Sequence, residues 1–364
     1  MCAAVSQLET VLSALRHEQP ESTPCFEEFS DDNSEAKFLP RFVLRDQGDR
    51  EIARAEFMGN CLVSVGGAGL RYETVERGDG FSVRKWENGA RWKIVTKPQW
   101  WREYSHYPLQ DIRDLERVEW PDPDDPLRFE GVADRVRKYT QLGYFTQAGI
   151  NGFFSGIWYF WRSFEAFLID LLEHPRYARE LVDRVGEFNI RCAEHLLECG
   201  VHAIAFPDDL GSNVSTFISP ALYREFFHPW HRRLARLCHD HSAYVNMHSH
   251  GNINGIMPLL YEAGIDILNP VGPSDGMVLA DLKRQYGDRM TFMGGVSKFI
   301  GRMSQSELYR HVESVLRTGS SGGGFILYSE GNIPVDMPRA NVYFYLLLRR
   351  QLSRIFGTAL HCIQ

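Results

Sequence analysis

From residue 130 onward the chain repeats one pattern: a short apolar run that stops at a polar or glycine-rich tip, followed by a longer stretch with helical periodicity. The runs are "YFTQAGING" (144–152), "HAIAFPDDLG" (202–211), "AYVNMHSHGN" (243–252), "IDILNPVG" (265–272), "MTFMGGVS" (290–297) and "GFILYSEGN" (324–332). Helical segments at 163–174, 176–199, 219–241, 253–263, 278–286 and 304–318 separate them. Apolar runs alternating with helices describe parallel strands buried on both faces and joined by helical crossovers. A further strand is predicted in "STPCFEEF" (22–29), after an amphipathic helix at 7–17. The count approaches the eight strands of a closed barrel. The expected fold is therefore α/β, a TIM-type (β/α)8 barrel with an N-terminal extension, forming a single domain over residues 1–364.

One region breaks the pattern. "RYETVERGDGFSVRKWENGARWKIV" alternates polar and apolar residues around "GDG" and "ENG", which is hairpin chemistry. Residues 60–105 are read as a β-hairpin insertion between the first and second barrel strands, forming a flap or side sheet. "GGGF" (322–325) precedes a strand rather than joining a strand to a helix, so it reads as a tight turn and not as a phosphate cradle.

Composition narrows the function classes. Hydrophobic residues at 44% and charged residues at 24% suit a soluble chain with a sizeable core. A net charge of −7 without a Lys/Arg block argues against nucleic acid. The N-terminal stretch lacks an unbroken apolar core and no later run reaches spanning length, so no membrane partner and a cytoplasmic location are expected. Seven cysteines, Cys2, Cys25, Cys61, Cys192, Cys199, Cys238 and Cys362, form no CxxC pair and are expected to stay reduced.

In such a barrel the loops after the strands build the active site. The strand tips supply Glu27, Asn151, Asp208 and Asp209, His248 and His250, Asn269, and Ser329, Glu330 and Asn332. If the strand continues to 250, His248 and His250 point to one face. Three readings stay open: metal ligands completed by Glu330, Asp209 or Glu27, a metal-free acid–base pair, or structural residues at a strand end. Asp209 is the favoured member of its pair, as a base or as a partner orienting a histidine, with Glu27 a second catalytic candidate. "NGFFSGIWYFW" (151–161) is read either as core or as an aromatic wall for an uncharged substrate, with Asn151, Phe154 and Trp158 as candidate contacts. Asn269 and Tyr328 are further substrate-binding candidates at their strand ends.

The segments "AFPDDLGSNVSTFISPALYREFFHPWHRRL" (205–234), "HSHGNINGIMPLLYEAGIDILNPV" (248–271), "LKRQYGDRMTFMGGVS" (282–297) and "GGGFILYSEGNIPVDMPRANV" (322–342) resemble the uroporphyrinogen decarboxylase family in order and spacing. That family includes the porphyrin-pathway decarboxylase and corrinoid-linked, zinc-dependent methyltransferases. The decarboxylase has an arginine-containing stretch near its N-terminus, where this chain has the acidic "EEFSDDNSEAKFLPRF" (27–42). Like charges disfavour a polyanionic tetrapyrrole there. The methyltransferases carry His-x-Cys-Gly after the fourth strand and a later Cys as zinc ligands. This chain has His248-Ser249-His250-Gly251 and, later, Tyr328-Ser329-Glu330-Gly331.

The resemblance implies a metal-dependent methyltransferase or demethylase acting on a small methylated, conceivably methoxyaromatic, compound. The acceptor would be a thiol or a corrinoid on a partner protein. The implied metal set is His248, His250 and Glu330 holding a divalent ion, zinc or Fe(II), and a homodimer is also implied. The alternative is a lyase decarboxylating a small non-porphyrin carboxylic acid, and a third reading is a barrel that binds a tetrapyrrole or corrinoid without catalysis.

Overall fold

The structure is a computed structural model and describes residues 6–39, 49–97 and 99–361. Cys2, Cys362 and residues 40–42 of the acidic stretch lie outside the described residues. Eleven strands follow one another: β1 (Leu62–Gly67), β2 (Tyr72–Gly78), β3 (Phe81–Trp86), β4 (Arg91–Val95), β5 (Trp101–His106), β6 (Phe145–Gly149), β7 (Ala203–Pro207), β8 (Tyr244–His248), β9 (Ile267–Val271), β10 (Thr291–Val296) and β11 (Phe325–Ser329). Seven of them form a parallel sheet in the order β1-β6-β7-β8-β9-β10-β11.

The predicted N-terminal strand closes this sheet. Phe26 N donates to Leu327 O and Leu327 N to Pro24 O on one side, while Cys61 N donates to Cys25 O on the other, each at 2.9 Å. Parallel bridges at Cys25–Leu327 and Phe29–Ile333 mark the same segment as the eighth stave. The TIM-type barrel expected from the sequence is thus the fold observed.

Period-two alternation sends Phe145, Ala203, Ile267, Met293 and Ile326 into the barrel, where Phe26 and Leu62 join them. Helix Gln7–Leu15 seals the end at which the strands begin. Its Leu8 N bonds Gly143 O just before β6, its Ala14 O receives Gly324 N just before β11, and Val11 and Leu15 plug the interior. Burial of those two side chains is worth roughly 1.5–3 kcal/mol each.

Two details differ from the sequence reading. Leu62–Gly67 belongs to the barrel and pairs with β6, so the inserted sheet is β2-β3-β4-β5, starting at Tyr72. The helix expected at 219–241 is two, Pro220–Phe226 and His228–Asp240, because Pro229 has no N–H to continue the first and its fixed φ starts the second. The inserted sheet docks through Trp86 and Trp92, whose ring centroids both lie 4.8 Å from that of Phe160 in helix Ser155–Phe160. That docking brings β5 over the strand tips. Among the described residues, no helix is long and apolar enough to cross a membrane.

Candidate active site

β8 ends at His248, and Ser249 to Gly251 turn away from the strand direction. The histidines therefore do not meet by strand alternation. The turn itself brings their rings together edge to face, 4.8 Å between centroids. Gly251 makes the turn possible: its φ is 89°, and a Cβ there would lie 2.1 Å from Gly211 O.

A row of amides inside the barrel fixes the His248 ring. Asn246 Nδ2 donates to Gln147 Oε1 (2.9 Å), and Asn269 Nδ2 donates to Asn246 Oδ1 (2.6 Å). Asn269 is left with only its oxygen to offer, so His248 Nδ1, 2.8 Å away, must carry the proton. Nε2 keeps its lone pair, facing Asp209 Oδ1 at 3.8 Å. Burial below the rim pushes the His248 pKa down, with His250 adding to the effect and Asp209 and Asn269 opposing it. With 31% of the side chain still exposed, the ring is a neutral base open to the space above it.

Asp208 and Asp209 turn opposite ways. Asp208 is fully enclosed: its Oδ1 accepts Phe154 N and Ser155 N at 2.7 Å, and its Oδ2 lies 2.8 Å from His231 Nε2. His231 Nδ1 in turn lies 2.7 Å from the Tyr223 hydroxyl. This buried trio ties the helix after β6 to that after β7. Asp209 faces outward, accepting His250 N at 2.9 Å and the Tyr159 hydroxyl at 3.1 Å.

Above Asp209 opens a cavity of about 430 Å³. Tyr104, Tyr107, Trp158, Phe164 and Phe217 wall it, with Asp209, Glu165 and His250 at its edge. Burial raises the pKa of Tyr104, Tyr107 and Tyr159, so all three remain phenols at neutral pH. Tyr104 and Tyr107 come from β5 and the residue after it, so the inserted sheet supplies part of the wall.

The remaining expected residues divide. Trp158 reaches the cavity. Phe154 does not: it is fully buried against Phe164, Phe167 and Phe227, because Asp208 draws its backbone inward. Asn269 holds His248, as above. Tyr328 packs on Phe26 inside the barrel and donates to Asn332 Oδ1 at 2.7 Å. Asn151 lines a small gap with Leu70, Trp120 and Phe188. Glu27 is 1% exposed, accepts hydrogen bonds from Ser329 (2.8 Å) and Tyr345 (2.7 Å), and faces Arg349 at 3.6 Å; burial raises its pKa against the opposing pull of Arg349, so it is a structural carboxyl far from solvent.

Glu330 is likewise engaged. Its oxygens accept Lys298 N (2.9 Å) and Ser274 N (3.2 Å), and Gly272 leaves it room, since a Cβ there would fall 2.2 Å from Oε2. Among the described residues, no group of three or more His, Cys, Asp or Glu side chains is arranged to hold a metal ion. The expected set of His248, His250 and Glu330 does not converge, because backbone amides orient the carboxylate. Zinc coordination of the kind the family resemblance implies does not fit these donors as they stand.

Sequence reasoning missed Gln147, Asn246, Tyr104, Tyr107, Tyr159 and Asp275. Asp275 Oδ2 accepts Gly251 N at 3.0 Å and faces His250 Nδ1 at 3.8 Å. Asn246 carried a signal: it stands two residues before His248, on the same strand face.

A closed parallel barrel with polar side chains gathered past its strand ends defines the class of (β/α)8 proteins whose chemistry lies on that rim. Within that class the assignment is specific: the uroporphyrinogen decarboxylase family model matches residues 102–351, and the chain belongs to that family. A methyltransferase from Methanosarcina mazei has a similar structure, at 17% identity and a TM-score of 0.65, over 95% of this chain and 99% of that one. A B12-independent methionine synthase from Shewanella sp. W3-18-1 aligns at 12% identity and a TM-score of 0.46, over 86% of this chain and 87% of that one. No curated protein matches at the sequence level.

Proposed function

We propose that this protein transfers a methyl group from a small methylated compound to an acceptor, a thiol or a corrinoid borne by a partner protein. The observation that carries the reading is His248, whose Nε2 lone pair is fixed by the amide row and faces Asp209, which lines the aromatic cavity. Transfer to a thiol needs a base for the thiol proton, and Nε2 is free to take it. The sulfur then bonds to the methyl carbon while the bond from methyl to its donor atom breaks, the electron pair leaving with the donor. Asp209 stabilises the imidazolium that forms, and the aromatic wall, including Trp158, excludes water and orients the donor.

The similar fold of the Methanosarcina mazei methyltransferase over nearly the whole of both chains agrees with this reading. Decarboxylation of a small acid is less favoured, since a substrate carboxylate would sit beside Asp209 and Glu165. A methyl-transfer assay with isotopically labelled methyl donors and a thiol tests the proposal. Label should appear on sulfur, and His248→Ala should slow transfer by about 10²–10⁴-fold. Release of CO2 from carboxylic acids without methyl transfer would overturn it.

A further inference from the structure

The wall of the cavity is aromatic and its only formal charges from acids are Asp209 and Glu165; no lysine or arginine among the described residues lines it. That pairing of chemistries is unsuited to a neutral aromatic ether alone. Aromatic faces carry negative potential and attract cations, and carboxylates beside them add to the same field. One cation already sits against this aromatic cluster from outside the cavity: the Arg102 guanidinium lies 4.6 Å from the Trp92 centroid, 5.5 Å from that of Tyr159 and 6.0 Å from that of the wall residue Tyr104.

We propose that the cavity between Tyr104, Tyr107, Trp158 and Phe164 binds a methylated ammonium group, with Asp209 and Glu165 as its counter-charges. A volume of about 430 Å³ admits such a head group with a short substituent. This deepens the methyl-transfer reading and rests on it for the reaction, though not for the binding. An N-methyl ammonium donor also suits the side chains present. When its C–N bond breaks, the pair stays on nitrogen and a neutral amine departs, so no proton is needed at the leaving atom. The acceptor thiol loses its proton to His248 Nε2, and one C–S bond replaces one C–N bond.

The test is equilibrium binding to the full chain, by calorimetry or tryptophan fluorescence, of choline and of its uncharged isostere 3,3-dimethylbutan-1-ol. Choline should saturate one site and bind about tenfold or more tighter than the isostere. Glu165→Gln should weaken choline several-fold while leaving the isostere and the melting temperature unchanged, and Tyr104→Leu should weaken choline several-fold more than it weakens the isostere. Equal binding of the two probes, no saturable choline binding, or a choline-to-isostere ratio indifferent to both substitutions would overturn the inference. Failure of the two readings is distinguishable. Choline selectivity without methyl transfer from any N-methyl donor would remove the reaction and leave the cation site. Methyl transfer from uncharged ethers by a protein blind to choline would do the reverse.

Discussion

At the scale of single residues, the state of His248 is decided by groups that never reach the cavity. Asn269 presents an oxygen because Asn246 and Gln147 leave it no alternative, and that oxygen selects the Nδ1–H tautomer. Asn269→Ala should lower kcat/KM about 10–100-fold through a ring free to rotate or change tautomer. Nitrogen-15 NMR of the imidazole should show the tautomer mixture directly. The pH dependence follows from the sign of the shift. His248 has a depressed pKa, so its base form is already present at neutral pH and is lost only as pH falls below the ordinary histidine range. The acidic limb of the rate profile should therefore lie below about 6.5. Asn269→Asp places a carboxylate against Nδ1, and the limb should move upward. From sequence, the polar character of this site was legible because strand tips announce it. Its internal logic was not, since hydrogen bonds among Gln147, Asn246 and Asn269 join three different strands.

Single elements are held by carboxylates that the sequence offers as catalytic (Glu27) or metal-binding (Glu330). Glu27 and Arg349 form a fully enclosed pair that joins the closing segment to helix Arg339–His361, and Arg349 also donates to Phe26 O (3.0 Å) and Met58 O (2.9 Å). Glu27→Gln strands the buried Arg349 charge and should destabilise by about 3–5 kcal/mol, with the Glu27→Gln/Arg349→Met double variant recovering part of the loss in chemical denaturation. Glu330 plays the same part for the loops after β9 and β10. Glu330→Gln replaces one acceptor by a donor facing an amide N–H, and should cost about 1–3 kcal/mol of stability. Metal content, measured by elemental analysis, should not change. The sequence could not separate these acids from Asp209, because a glutamate at a strand end looks the same whether it points to solvent or to two backbone amides. Helix and strand positions, by contrast, were legible almost throughout after residue 130, where periodicity and length agree. They failed at Phe227, where one proline divides a continuous apolar stripe, and helices Ser155–Phe160 and Arg339–His361 were not among the segments expected.

For the whole molecule, the barrel was legible in its repeat, and its closure hung on one short strand near the N-terminus that the pattern after residue 130 does not contain. Removing residues 6–30 should leave β1 and β11 as open edges facing each other across a gap, and the product should aggregate rather than melt cooperatively in calorimetry. The inserted sheet was legible as hairpins but not as part of the cavity, since its docking on helix Ser155–Phe160, through Trp86, Trp92 and Asn88, carries Tyr104 to Asp209. The closing strand has a further consequence, in time rather than in space. Ser329 and Glu27 bond across a sequence separation of 302 residues, so the first stave leaves the ribosome long before its partner exists. At about 5–20 residues per second, that interval is roughly 15–60 s. Through that interval the nascent chain holds an apolar edge with nothing to pair with, and a slow, chaperone-dependent birth is the expected companion of a ring joined by its two ends.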